Sequence, residues 1–128
     1  MYPGSESKLV RRPVNTAVVQ GSAVTFECVS HVNVNNSGIH WFNSLCVKNN
    51  FALCKETDYI YNSFSGPVGK YMSSRRFSVT EANNATHISR NVNINSAQLS
   101  DAGVYLCVEV VGAEIRQTSS AQLIVVGK

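Results

Sequence analysis

Cysteine and histidine are the side chains of this chain that could bind a metal ion or act as nucleophiles. The 128 residues include four cysteines, at positions 28, 46, 54 and 107. No two of them stand two to four residues apart and no pair of histidines accompanies them, so their spacing is unlike that of a zinc site. There is also no Cys-x-x-Cys motif of the redox kind. An even number of cysteines instead predicts disulfides, and the spacing alone leaves all three pairings open.

The histidines and acidic residues show no catalytic arrangement. His31 and His87 are predicted on loops or loop edges and His40 on a strand, with no serine or cysteine nucleophile beside them. The glutamates form no general acid–base pair, and the chain has no glycine-rich phosphate loop. The sequence therefore predicts a protein that is not an enzyme, with no catalytic residue, no metal site and no cofactor.

The charge pattern excludes two classes of partner. The net charge is only +3, and the tight basic groups, Lys8 with Arg11 and Arg12 and the pair Arg75–Arg76, are not interleaved with stacking aromatics. Nucleic-acid binding is therefore not expected. No apolar stretch reaches the roughly 18–20 residues of a membrane span, so we expect membrane attachment only through an anchor outside this chain.

Short alternating segments predict many short β-strands. Val24, Phe26 and Cys28 share one face of such a segment, and similar runs recur along the chain. Polar, turn-rich segments such as residues 80–86 separate them, and residues 96–103 suit a single helical turn. This pattern predicts an all-β sandwich or barrel.

The most specific motif is a Cys–Trp–Cys order with a tyrosine before the second cysteine. Cys28 lies on an early strand, Trp41 on the next, and Cys107 on a late strand that carries Tyr105 two residues earlier. Together with the D-x-G-x-Y-x-C motif that begins at Asp101, this order resembles a V-set immunoglobulin domain. The resemblance implies a Greek-key β-sandwich of two antiparallel sheets.

The resemblance covers residues 12–126 as a single domain, and residues 1–11 are expected to be a leader, a first strand or expression residues. The distance from Trp41 to Cys107 leaves room for strands C′ and C″, which distinguishes the V-set from the shorter sets. The last strand lacks the F-G-x-G bulge of antibody and T-cell-receptor joining segments. The chain therefore resembles a germline receptor domain rather than a rearranging antigen receptor.

The resemblance also implies the disulfide pairing. Cys28 and Cys107 would join the two sheets, and Trp41 would pack against this bridge. Cys46 and Cys54 would form a second bridge from strand C to strand C′, which either stiffens a binding edge or only adds stability. A similar bridge occurs in the polymeric immunoglobulin receptor and related myeloid receptors. There the first cysteine directly follows the tryptophan, so this chain is not assigned to that family.

The same resemblance gives roles to four residues at one end of the sandwich. Tyr105 would be the tyrosine corner, with its hydroxyl bonded to backbone near residues 99–101. Asp101 would pair with Arg76, and Gly103 would let the chain turn steeply into strand F.

The strand phase predicts an exposed apolar patch on the sheet of strands G, F, C and C′. If Trp41 and Cys107 point inward, their neighbours point outward, and such patches mark interaction sites. Scattered surface residues, or cover by the C′–C″ hairpin, are the alternatives. The partner-binding residues expected here are His40, Phe42, Phe51, Leu53, Tyr61, Leu106, Val108 and Val110.

Glu109 interrupts this pattern, because strict alternation points it inward. Either a bulge resets the phase or Glu109 pairs with Arg116 across the F–G hairpin, and we expect the pair.

Two N-x-S/T triplets, at Asn35 and Asn84, are candidate glycosylation sites. With the cysteines they favour an extracellular protein, either secreted or a cell-surface ectodomain.

These features predict an extracellular recognition or adhesion domain of a cell-surface or immune-type receptor. It would bind a protein, either a cell-surface ligand or a second copy of itself as a homodimer, through the G-F-C-C′ face. The alternative is a secreted innate-immune domain whose loops bind microbial or glycan ligands, and a third is a spacer module without a ligand.

Overall fold

The computed structural model describes residues 9–31 and 35–127, which form two packed β-sheets. The strands, numbered in chain order, are β1 (Leu9–Arg11), β2 (Thr16–Val19), β3 (Val24–Phe26), β4 (Val29–Ser30), β5 (Ser37–Phe42), β6 (Tyr59–Asn62), β7 (Gly66–Pro67), β8 (Phe77–Asn83), β9 (Ile88–Ile94), β10 (Gly103–Val111) and β11 (Glu114–Val126). Single turns of 3₁₀ helix lie at Glu56–Asp58, Gly69–Tyr71 and Leu99–Asp101. The last of these confirms the helical turn predicted within residues 96–103.

The strands divide between a five-stranded and a six-stranded sheet. In the first, the order is β1-β4-β9-β3, and β8 pairs with the other edge of β9. In the second, the order is β2-β11-β10-β5-β6-β7. β2 runs parallel to β11, and the other described pairs are antiparallel. The predicted all-β sandwich is confirmed.

Alternating burial explains why these segments are strands. Along β9, Ile88, Arg90, Val92 and Ile94 are buried while the residues between them are partly exposed. This is the period-two pattern of a strand with one face on the core. β8 is less regular and continues to Asn83, so the expectation of a loop from residue 80 is wrong. As an edge strand it tolerates polar residues on its open face.

The core lies between the sheets, around the bridge from Cys28 to Cys107. Trp41 is completely buried beside it, and its Nε1–H donates to the carbonyl oxygen of Arg90 at 2.8 Å. The ring of Phe26 stacks on Tyr105 with centroids 4.9 Å apart. The indole thus fills the core without leaving its donor unpaired.

A hydrogen-bonded corner closes one end of the sandwich. The Tyr105 hydroxyl donates to the carbonyl oxygen of Asp101 at 2.7 Å. Arg76 holds the Asp101 carboxylate with two hydrogen bonds, of 2.6 and 3.0 Å. Burial acts to raise the pKa of Asp101, but the hydrogen bonds from Arg76 and from the backbone of Gln98 outweigh it and lower that pKa. Gly103, which starts β10, has φ of 138°, a conformation that favours glycine.

Candidate functional site

The outer face of the six-stranded sheet carries a row of apolar side chains on its two central strands. Leu106 of β10 lies opposite Phe42 of β5, and Val108 lies opposite His40. Val110 follows on the same side of β10. The strand phase predicted from the sequence therefore identifies correctly which side chains point away from the main core.

These side chains are nevertheless buried, so the expectation of an exposed patch is wrong. Phe42, Val108 and Val110 are 0% exposed, Leu106 is 4% and His40 is 5% exposed. We call Phe42, Leu106, Val108 and Val110 the outer cluster. It forms a second small core on the side of the sheet that faces away from β9.

The cover is the segment that connects β5 to β6. Cys46 and Cys54 are joined by the second bridge, and residues 46–54 form what we call the disulfide loop. Phe51 and both cysteines pack on the outer cluster, together with Val47, Tyr59 and Ile115. Phe51 lies 5.8 Å from Phe42 and Tyr59 lies 4.3 Å from it, measured between ring centroids. The cover thus comes mainly from the connection between β5 and β6, and Tyr59 of β6 and Ile115 of β11 complete it.

Local hydrogen bonds fix the shape of the loop. The Asn50 side-chain oxygen accepts from the amide of Ala52 at 2.9 Å, and the Cys54 amide donates to the Phe51 carbonyl oxygen at 3.0 Å. These bonds turn the chain so that the Phe51 ring points back onto the sheet. An Asx turn of this kind is a local device that Asn favours.

The remaining predicted contact residues divide between core and surface. Tyr61 is only 2% exposed and lies in the main core, because it pairs with inward-facing Trp41 across β5 and β6. Its placement on the outer patch is therefore wrong. Phe51 is half-buried, whereas Leu53 is 66% exposed. Leu45, which the sequence analysis missed, is 53% exposed.

Leu45 and Leu53 each directly precede one cysteine of the second bridge. They stay at the surface although the loop buries the aromatic and aliphatic side chains beneath it. No signal in the sequence separates Leu45 from Val47, which flanks the same cysteine but packs on the outer cluster.

A cleft of about 470 Å³ opens beside the outer cluster. Of the described residues that line it, only His40 and Tyr59 carry ionisable side chains. The lining residues are Asn36, His40, Phe51, Tyr59, Asn62, Phe64, Gly112 and Ala113. These residues come from β5 and the residue before it, from the disulfide loop, from β6 and the turn after it, and from the β10–β11 turn.

His40 is neutral at physiological pH in this cleft. Burial lowers its pKa from 6.5 to about 4. Its Nδ1 accepts a hydrogen bond from the Ser63 amide at 3.0 Å, and the rings of Phe51 and Phe64 contact it edge-on. The proton of the neutral ring is therefore on Nε2.

Glu109 is buried at 1% exposure and accepts a hydrogen bond from the Ser30 hydroxyl. The expected pair with Arg116 is wrong. A register shift next to Glu109 places Gln117 opposite it, and leaves Arg116 as the extra residue of the bulge. Arg116 instead lies 3.4 Å from Glu114.

The two candidate glycosylation residues, Asn35 and Asn84, are both exposed. Glycosylation at either remains a prediction.

Within residues 9–31 and 35–127, no group of three or more histidine, cysteine or acidic side chains is placed to hold a metal ion. In the same residues no helix has the length and apolar character needed to cross a bilayer.

The sequence matches the family model of the immunoglobulin V-set domain over residues 11–126. The chain belongs to the immunoglobulin V-set family. V-set domains are in general binding modules rather than enzymes. The Cys28–Cys107 bridge, the buried Trp41 and the Tyr105 corner are the features that the family resemblance implied.

Solved structures of immunoglobulin domains resemble this V-set domain at low sequence identity. The N-terminal Ig1-2 module of the Drosophila receptor protein tyrosine phosphatase DLAR has a TM-score of 0.63 and 16% identity, covering 96% of this chain and 50% of the other. The RIG-5 IG1 homodimer has a TM-score of 0.65 and 14% identity, covering 94% and 98%. Dpr1 IG1 bound to DIP-eta IG1 has a TM-score of 0.65 and 18% identity, covering 94% and 97%.

This V-set domain thus spans half the length of the DLAR module. At these identities the likeness shows the fold alone. A search of curated protein sequences finds no match.

Proposed function

We propose that this V-set domain is an extracellular recognition or adhesion domain that binds a protein partner through the outer side of the six-stranded sheet. The contact surface is the disulfide loop with its exposed Leu53 and with Leu45 directly before it, and not the strand residues beneath it. The structurally similar RIG-5 domain forms a homodimer and the Dpr1 domain binds DIP-eta, which supports a protein partner of either kind.

The observation that carries this proposal is the exposure of Leu53 on the disulfide loop and of Leu45 directly before it. The loop is closed by a bridge of eight-residue separation and packed on the outer cluster. Apolar side chains on a rigid support lose little conformational entropy on binding, so they suit a protein interface. In a stable complex such a surface buries about 800 Å² per partner.

The test compares two substitutions of the same type on different surfaces. Leu53→Arg adds charge to the loop, and Leu99→Arg is a matched control because Leu99 is 54% exposed on the 3₁₀ turn of the Tyr105 corner. Sedimentation equilibrium of each domain measures self-association, and tetramers of each domain are screened against cell-surface ectodomains.

We expect the wild type and Leu99→Arg to bind the same protein partner, or themselves, and Leu53→Arg to lose that binding while remaining folded. A partner that still binds Leu53→Arg, or the lack of any protein partner in both assays, would contradict the proposal.

A second candidate function is binding of an uncharged ligand such as a glycan in the cleft beside the loop. The aromatic rings of Phe51 and Phe64 and the side-chain amides of Asn36 and Asn62 favour it. Aromatic faces with a few polar groups are typical of small-ligand sites. Binding on a glycan array that Phe64→Ala abolishes and Leu53→Arg leaves intact is the expected result for this function.

A further inference from the structure

Two histidines that are far apart in the sequence meet at one edge of the five-stranded sheet. His31 directly follows β4, and His87 directly precedes β9. β4 and β9 are antiparallel, with Ser30 opposite Ile88. The next position on each strand therefore places His31 opposite His87, and their ring centroids are 4.8 Å apart.

We propose that His31 and His87 form a binding site for a borderline transition-metal ion such as Zn²⁺. Imidazole nitrogen is a preferred ligand for zinc, whereas magnesium and calcium prefer oxygen. Two imidazoles that bind one zinc ion at about 2.0–2.1 Å in tetrahedral geometry have ring centroids about 5 Å apart. The observed separation of the ring centroids, 4.8 Å, is close to this value.

Hydrogen bonds link Asn84 and Thr86 to the His87 ring. The Asn84 side-chain oxygen accepts from the backbone amides of Thr86 and His87, at 2.9 and 2.8 Å, so its identity as the acceptor is determined. The Thr86 hydroxyl also donates to this oxygen, at 3.2 Å. When that hydroxyl proton points to Asn84, the hydroxyl oxygen, 2.7 Å from Nδ1 of His87, accepts from Nδ1–H.

In this tautomer the lone pair of His87 lies on Nε2, the atom that a metal ion would bind. Histidine ligands in metal sites typically donate their other ring N–H to an oxygen, which fixes both tautomer and orientation. Thr86 supplies that oxygen here.

Both imidazole rings are accessible from solvent. His31 is exposed and His87 is half-buried. Only two protein ligands converge among the described residues, so the other positions go to water or to a donor from another molecule. This pair is not evident from the sequence, because the two histidines lie on loop edges and are brought together only by the pairing of β4 with β9.

The test is a zinc titration of the untagged, unglycosylated domain, followed by calorimetry and by the NMR signals of the three imidazole rings. We expect one zinc ion per domain, with the His31 and His87 signals moving along one common binding curve and the His40 signal unchanged. His31→Ala and His87→Ala should each weaken binding at least tenfold. If either alanine variant fails to fold, the asparagine variant replaces it.

These hydrogen bonds give a second, independent variant pair. Thr86→Val removes the acceptor for Nδ1–H and should weaken zinc binding about tenfold, whereas Thr86→Ser keeps the hydroxyl and should bind as the wild type does. The proposal is overturned if the wild type takes up no zinc at millimolar concentrations. It is also overturned if His87 in the His31→Ala variant follows the wild-type curve.

Discussion

The ring of Phe51 stacks on that of Phe42, with centroids 5.8 Å apart and an interplanar angle of 17°. Phe42 belongs to strand β5 and Phe51 to the disulfide loop, so this contact closes the loop over the outer face of the six-stranded sheet. The sheet is therefore covered on both sides along its two central strands. The exposed surface above them belongs to the loop, which changes where a partner would make contact.

Truncation of Phe42 is expected to destabilise the domain rather than only remove a binding contact. Because Phe42 is fully buried, Phe42→Ala should cost about 3–5 kcal/mol of unfolding free energy. Leu53→Ala should change it by no more than about 0.5 kcal/mol, because Leu53 is largely exposed. Denaturant unfolding of both variants measures this difference, and equal costs would contradict burial beneath the loop.

The second bridge should stabilise both the domain and the cover. For cysteines eight positions apart, the chain-entropy model gives a stabilisation of about 2–3 kcal/mol. The double variant Cys46→Ser/Cys54→Ser should lose about that much stability and bind a hydrophobic dye such as ANS more strongly, because the loop no longer holds Phe51 on the outer cluster. Unchanged dye binding would mean that the loop keeps its position without the bridge.

His40 should make the domain less stable below neutral pH. Its pKa is lowered from 6.5 to about 4 by burial, so the folded state favours the neutral ring. The stability from this preference is present above pH 6.5 and is lost as the pH falls from 6.5 towards 4, by about 1–2 kcal/mol at pH 5. Unfolding measured from pH 7 to 4 should show this loss.

His40→Asn should flatten that part of the pH profile, because Asn can still accept the hydrogen bond from the Ser63 amide. A profile that keeps its slope in His40→Asn would assign the pH dependence to other groups.

The Arg76–Asp101 pair should stabilise the domain mainly above the acidic range. Because the pKa of Asp101 is lowered in the folded state, its contribution is present above the unfolded value of 3.8 and is lost as the pH falls through the lower folded pKa. Asp101→Asn should cost about 1.5–3 kcal/mol at pH 7, as expected for hydrogen bonds to a charged group. The difference from the wild type should shrink at pH 3, and a constant difference would argue against a role for the charge.

The sequence was sufficient to predict the main core and the corner at one end. Period-two alternation places Trp41 and Cys107 on inward faces, and the family resemblance implies the contact of Tyr105 with the backbone at Asp101. Each of these depends on residues whose spacing is fixed by one strand or one tight turn. Local periodicity reports such features reliably.

The cover over the outer cluster could not be predicted in the same way. Alternation shows which face Phe42 points to, but it does not show whether a loop crosses that face. The position of Phe51 depends on the turn at Asn50 and on the Cys46–Cys54 bridge, which are tertiary features. The error for Glu109 has a similar cause, because the bulge that displaces Arg116 leaves no signal in the alternation of β10.

The most direct measurement of the central claim is hydroxyl-radical footprinting of the native domain, with labelling rates read residue by residue. We predict that Leu53 is labelled quickly and that Phe42, Leu106 and Val108 are protected. Met72, which is 72% exposed, serves as the reference for an exposed side chain. Rapid labelling of those three protected residues at the rate of Leu53 would contradict this prediction, because the strands themselves would then form the exposed surface.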